Sequence, residues 1–121
     1  MTEIRDIAQL AGLLEGEGCF ANYPVDGKHY PRIQVQMNDR DVIEWVAALW
    51  GSTVNIFTKR YKATMDSYRT TVYGSQALGW MMTLYPFMKS RRQAKIREII
   101  EHARKNPTQV SWKVTQIWET T

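Results

Sequence analysis

The chain is poor in the groups that hold metals and disulfides. Its 121 residues include one cysteine, Cys19, so no internal disulfide can form and a zinc site built on thiols has too few ligands. The two histidines, His29 and His102, stand far apart without ligand-like spacing and read as ordinary surface or loop residues. No apolar run approaches the roughly 20 residues of a membrane span, and the N-terminus lacks the pattern of a signal peptide. The expectation is therefore a reducing compartment, cytoplasmic or organellar, with no membrane partner and no secretion. No Gly/Pro/Ser-rich linker divides the chain, and none of its motifs occurs twice, so residues 1–121 are expected to form one domain. Hydrophobic residues and aromatics are plentiful. Five Trp, six Tyr and 44% hydrophobic content exclude a disordered chain and suffice for one compact core. The net charge of +4 permits a nucleic-acid partner without demanding one.

The most unusual stretch is Leu10-Ala11-Gly12-Leu13-Leu14-Glu15-Gly16-Glu17-Gly18. Ile7, Leu10, Leu13 and Leu14 recur at three- and four-residue steps and give one apolar helix face. Ala8, Gly12 and Gly16 recur every four residues and form a second stripe with almost no side chain. A glycine inside a helix costs about 1 kcal/mol against alanine, so this stripe implies another backbone packed close by. Glu15 and Glu17 then stand at the helix C-terminus, where the dipole disfavours carboxylates. Acids placed there suit a divalent cation better than they suit stability.

The rest of the chain alternates in kind. Residues 19–23 read as a short strand, and Asp26-Gly27 marks a turn. Pro31, Ile33, Val35 and Met37 alternate with Tyr30, Arg32, Gln34, Gln36 and Asn38, the clearest strand pattern in the sequence. Asn38 or Asp39 precedes a helix with Val42, Ile43, Trp45, Val46, Leu49 and Trp50 on its buried face, closed by Gly51. A second hairpin pairs residues 53–60, with Val54 and Ile56 inward, and residues 68–73, with Thr70 and Val72 on one side and Arg69, Thr71 and Tyr73 on the other. The connecting Lys59-Arg60-Tyr61-Lys62 is basic and aromatic. A helix follows over about 75–85, carrying Leu78, Met81, Met82 and Leu84, and Pro86 breaks it. Ser90 is placed to cap a last helix striped by Ile96, Ile99 and Ile100, which ends at Asn106-Pro107. The tail, with Val110, Trp112, Val114, Ile117 and Trp118, is too apolar for a free linker and is expected to pack on the domain.

The nine-residue stretch resembles the signature of the LAGLIDADG homing endonucleases. The first four letters and Gly18 match, Leu14 stands for Ile, Glu15 and Glu17 replace the two Asp, and Gly16 replaces Ala. Pro86-Phe87-Met88-Lys89 is similar to a segment that leads into the last helix of single-motif members. Together the resemblance covers about residues 4–105 and leaves 106–121 outside. It implies an α+β fold of order αββαββα(α), a curved antiparallel four-stranded sheet with helices on one face. It also implies that two motif helices pack together, here by homodimerisation through Ala8, Gly12, Leu13, Glu15 and Gly16, and that Glu17, with Gly16, lies at a catalytic metal. That metal is expected to be Mg²⁺, with Mn²⁺ or Ca²⁺ able to substitute in binding, and no small-molecule cofactor is expected. A basic residue near the scissile phosphate maps onto Lys89 or Arg91, with Arg91 preferred by an alignment carrying a one-residue gap. A polar residue that positions the hydrolytic water maps onto Gln36 or Asn38.

The polar side of the second strand suits duplex DNA, because Arg and Gln read guanine and adenine edges in the major groove. Tyr30, Arg32, Gln34, Gln36 and Asn38 form that side, and Asn22, Asn55, Lys59, Arg69, Thr71 and Tyr73 are expected to extend it from the other strands. Any one-sided antiparallel sheet also has a polar outer face, so the surface carries the argument rather than a single residue. The sequence thus points to a homodimeric, Mg²⁺-dependent, site-specific double-strand DNA endonuclease of a mobile genetic element. The site it cuts is expected to be palindromic or nearly so, and the enzyme to work in a bacterial or phage cytoplasm or in an organelle. The rival readings are a non-cleaving nucleic-acid-binding module, such as an intron RNA maturase, and a structural domain whose partner is another protein.

Overall fold

The computed structural model describes residues 2–58 and 66–106. The elements run α1 (Ile4–Glu17), β1 (Gly18–Val25), β2 (Lys28–Met37), α2 (Arg40–Trp50), β3 (Val54–Thr58), β4 (Asp66–Tyr73), α3 (Gly74–Leu84), a 3₁₀ turn (Tyr85–Phe87) and α4 (Ser90–Lys105). The four strands form one antiparallel sheet in the order β1-β2-β4-β3. The expected α+β architecture is therefore present, with all four helices packed on one face of the sheet. Lys59 and its basic loop, and the tail beyond Asn106, lie outside the described residues. Among the described residues no helix is long and apolar enough to cross a membrane.

Local sequence explains most of the joints. Asp26 and Gly27 both have positive φ, 49° and 78°, which is the two-residue hairpin turn whose twist suits right-handed strands. Gly51 closes α2 at φ 68°, in the left-handed region, and the Ser52 N–H reaches back to the Ala47 carbonyl at 3.0 Å. Pro86 lacks an N–H and cannot extend α3, and the chain passes through the 3₁₀ turn before α4.

The core lies between the helices and the inner face of the sheet. Phe20, Ile33, Val35 and Val72 meet Leu10, Leu14, Ile43, Val46, Leu78, Met81, Leu84, Ile96 and Ile99, all buried. The helix faces expected from periodicity are thus the ones that pack. Two residues differ from expectation. Ile56 points to the helix side but sits on the edge strand β3 and is 55% exposed, and Met82 stands on the outer side of α3. Ser90 does not cap α4; Lys89 is the capping position, and its N–H donates to the Glu15 carboxylate of α1 at 2.5 Å.

Candidate active site

The end of α1 shows why the acidic motif needs its glycines. Gly18 leaves the helix with an ordinary extended backbone, φ −83° and ψ 157°, so conformation does not require glycine there. Space does. A Cβ on Gly18 would lie 2.8 Å from the Leu14 carbonyl oxygen and 2.8 Å from its Cδ2. Gly18→Ala is expected to cost about 1–3 kcal/mol through overpacking, read as a lower midpoint in denaturant unfolding. Gly12 and Gly16 behave oppositely. Both are exposed, and among the described residues a Cβ at either meets nothing within 4 Å. The stripe therefore does not pack on the chain's own sheet. Ile4, Ala8, Gly12 and Gly16 form an exposed ridge at four-residue steps. One apolar groove beside it is lined in part by Ile7, Leu78, Trp80 and Met82, and another by Leu13, Val42 and Trp45.

The two motif acids have different surroundings. Glu15 is tied down within its own chain. Its carboxylate accepts the Lys89 N–H and lies 3.7 Å from the Arg92 Nε, and its main-chain carbonyl accepts from Arg92 Nε at 3.3 Å and Nη2 at 3.2 Å. Glu15, expected at the contact between two motif helices, thus has polar partners within its own chain, at Lys89 and at Arg92 of α4. Glu17 is exposed, and among the described residues its carboxylate has no hydrogen bond or ion pair. It lines an open cleft of about 460 Å³ with Gln36, Met37, Asn38, Asp39 and Ser67. Glu17, Gln36 and Asn38 are thus brought together, although they come from α1 and the far end of β2. Lys89 and Arg91 stand exposed at the start of α4, without ion-pair partners among the described residues, and are not among the lining of this cleft.

Among the described residues no group of three or more His, Cys, Asp or Glu could hold a metal. One chain offers the Glu17 carboxylate and, from the same last helical turn, the Gly16 carbonyl, which has no intrahelical donor. Such a sparse oxygen set fits a small hard dication that keeps waters and takes phosphate oxygens.

The outer face of the sheet collects most of the expected polar residues. Strand register places Tyr30, Arg32, Gln34 and Gln36 of β2 opposite Tyr23, Ala21 and Cys19 of β1 and Tyr73, Thr71 and Arg69 of β4, and Asn55 of β3 opposite Arg69. The side chains are tied to one another. Arg69 donates through Nε and Nη2 to the Gln36 Oε1 at 2.9 and 2.7 Å and lies 4.3 Å above the Phe57 ring, while Gln36 donates to the Ser67 Oγ at 2.8 Å. Thr71 donates to Gln34 at 3.4 Å, Arg32 lies 4.7 Å over Tyr23, and the Tyr23 and Tyr73 rings are 6.0 Å apart. Held this way, the side chains lose less freedom when a partner binds.

Several expectations change. Asn22 is on the other side of β1, opposite Pro31 and in the row of Phe20, with its Oδ1 buried and without a hydrogen-bond partner among the described residues, so it is not part of the outer face. Cys19, expected to be a small buried hydrophobe, is exposed on that face, where the Arg32 Nη2 points at its Sγ from 3.9 Å. Asn38 lies one residue past the end of β2, at the cleft rather than in the sheet. Lys59 falls outside the described residues. His29 and His102, remote in sequence, have rings 5.8 Å apart in an edge-to-face contact that joins the first hairpin to α4.

Four residues not anticipated from the sequence also belong to this region. Ser67 and Phe57 hold Gln36 and Arg69, and the strand alternation places both on the outer face. Arg92 braces α1 from a distance in sequence that no local pattern reveals. Arg40, the first residue of α2, hydrogen-bonds Glu44 at 2.7 Å, and that bond and charge raise its pKa above the ordinary guanidinium value.

The model of the LAGLIDADG-like domain matches residues 6–101. The chain belongs to the LAGLIDADG family. No curated protein sequence matches it, but solved structures share its fold. The homing endonuclease I-CvuI, bound to its target in the presence of Ca, is 18% identical with a TM-score of 0.66, over 85% of this chain and 68% of that one. The archaeal intron-encoded homing endonuclease I-Vdi141I, complexed with DNA, is 17% identical with a TM-score of 0.55, over 78% of this chain and 65% of that one. I-SmaMI, a LAGLIDADG homing endonuclease bound to cleaved DNA, is 13% identical with a TM-score of 0.60, and this chain spans 43% of its length.

Proposed function

We propose that this LAGLIDADG domain is a site-specific double-strand DNA endonuclease that works as a homodimer with Mg²⁺. The observation that carries the reading is the open cleft that joins Glu17, exposed and without an ion pair among the described residues, to Gln36 and Asn38 at the end of the strand that leads the polar sheet face. A protein using this helix end for stability alone would not leave a carboxylate there against the dipole. The shared fold with homing endonucleases seen on DNA supports the same reading.

The exposed ridge of Ile4, Ala8, Gly12 and Gly16 favours a two-fold contact between copies. The small residues Ala8, Gly12 and Gly16 of this ridge let two helix backbones approach, and an isologous contact would bring the two α1 C-termini, each with its Glu17, to one place. The apolar grooves on both sides of the ridge supply further surface for such a partner. Two carboxylates set close repel unless a cation holds them.

The residues then divide the tasks, with Gln36 placed for two of them. Glu17 and the Gly16 carbonyl hold the cation, which when bound offsets negative charge developing on the scissile phosphate. Gln36 or Asn38 orients the attacking water from the cleft wall, and Gln36 is the more firmly fixed, between Arg69 and Ser67. Lys89 or Arg91 supplies positive charge to the phosphodiester from the start of α4. Arg32, Gln34, Gln36, Arg69, Thr71, Tyr30, Tyr73 and Asn55 form the surface offered to the major groove.

Competition between nucleic acids tests the substrate class. The account expects the protein to retain duplex DNA of mixed sequence against excess folded RNA, with binding that weakens as salt rises. Preference for folded RNA would favour the maturase reading, and failure to bind either would leave a protein-binding domain.

A further inference from the structure

The first turn of α4 grips the last turn of α1 through a single cation. Helix carbonyls in the last turn have no intrahelical donor. The Gly18 N–H takes the Leu14 carbonyl, and Arg92 takes the next one, Glu15, with two nitrogens at 3.2 and 3.3 Å. Its guanidinium lies 5.9 Å from the Phe20 ring centre, and its side chain is only 17% exposed. The neighbouring Glu15 carboxylate meanwhile receives the Lys89 N–H. Arg92 thus closes a brace between the segment ending in Glu17 and the segment starting with Lys89 and Arg91. A cation at a helix C-terminus also favours the dipole, which offsets part of the cost of the two acids.

We propose that Arg92 is a positioning residue, whose hold on the Glu15 carbonyl sets where the Glu17 carboxylate stands relative to the basic start of α4. It contacts neither substrate nor metal. The proposal rests on the endonuclease reading for its catalytic consequence, but the brace itself does not.

Two variants test it, Arg92→Met, which keeps the apolar stem, and Arg92→Lys, which keeps charge and one donor without the planar fork. In the Met variant kcat should fall about 10–100-fold, as outer supports of a metal site do when removed. The Mg²⁺ concentration for half-maximal cleavage should rise, and KM for the DNA should change less than twofold. The Lys variant should recover part of the loss. In EDTA, amide hydrogen exchange at Gly16, Glu17 and Gly18 should quicken in the Met variant while Leu10 and Ile99 exchange as before. Unchanged kcat and Mg²⁺ dependence in a folded variant would overturn the proposal. So would a general rise in exchange with kcat and KM altered together, because that is lost stability and not lost position. If the Met variant does not fold, the Lys variant decides by the same readouts. If the parent protein cuts no duplex at all, the endonuclease reading falls, and exchange at residues 16–18 in EDTA still decides whether Arg92 holds this turn.

Discussion

Glu17→Gln is expected to lower Mg²⁺-dependent cleavage by at least about 10³-fold, equivalent to about 4 kcal/mol of barrier, while leaving the fold intact. The structure gives the second half of this prediction as much weight as the first. Glu17 is exposed, has no partner among the described residues, and ends a helix whose dipole opposes its charge. Its amide should therefore be tolerated, with a melting temperature equal to or above that of the parent. The dimer should be as tight or tighter, since a repulsion between two carboxylates is relieved. Affinity for duplex DNA in EDTA should be nearly unchanged. Single-turnover cleavage, thermal unfolding, sedimentation and equilibrium DNA binding in EDTA measure the four quantities separately. A mutant that loses the dimer would mark Glu17 as structural, and a mutant that still cleaves at the parental rate would remove it from the site.

Gly12→Leu is expected to do the reverse. Among the described residues nothing stands within 4 Å of a Cβ at this position, and leucine is a far better helix former than glycine. The isolated subunit should be no less stable, and by propensity alone up to about 1 kcal/mol more stable. In the proposed dimer the same side chain would fall where the two backbones meet. Overpacking costs about 1–3 kcal/mol per site, and two-fold symmetry applies it twice, so the dimer constant should weaken by at least about 30-fold, or about 2 kcal/mol. Cleavage should fall with the dimer population. Sedimentation equilibrium of parent and variant decides it. A Gly12→Leu protein that remains dimeric would show that the ridge is not the contact.

The parts of this structure that were legible in the sequence obey local rules. The apolar face of α1 follows from three- and four-residue steps, and Leu10 and Leu14 are indeed buried. The outer face of β2 follows from alternation, and the pairing of Gln36 with Arg69 and of Gln34 with Thr71 keeps those residues on one side of the sheet. The polarity of Asn22 suggests the outer face, but its parity with Phe20 decides, because burial of Phe20 fixes the side on which every second residue of β1 must lie. The same parity brings Cys19 to the surface. Local side chains usually cap a helix, which points to Ser90 for α4, whereas the acceptor for the Lys89 N–H comes from Glu15, 74 positions earlier. The Arg92 brace and the His29–His102 contact are long-range in the same sense, and no spacing rule announces them.

The most direct test of the account is cleavage of a randomised duplex DNA library, with Mg²⁺ and with EDTA, followed by sequencing of the new ends. The account predicts cuts only with Mg²⁺, converging on one sequence with approximate two-fold symmetry, as two copies of one Glu17 site require. Cuts that persist in EDTA, or no cuts from a protein that still retains duplex DNA, would contradict it.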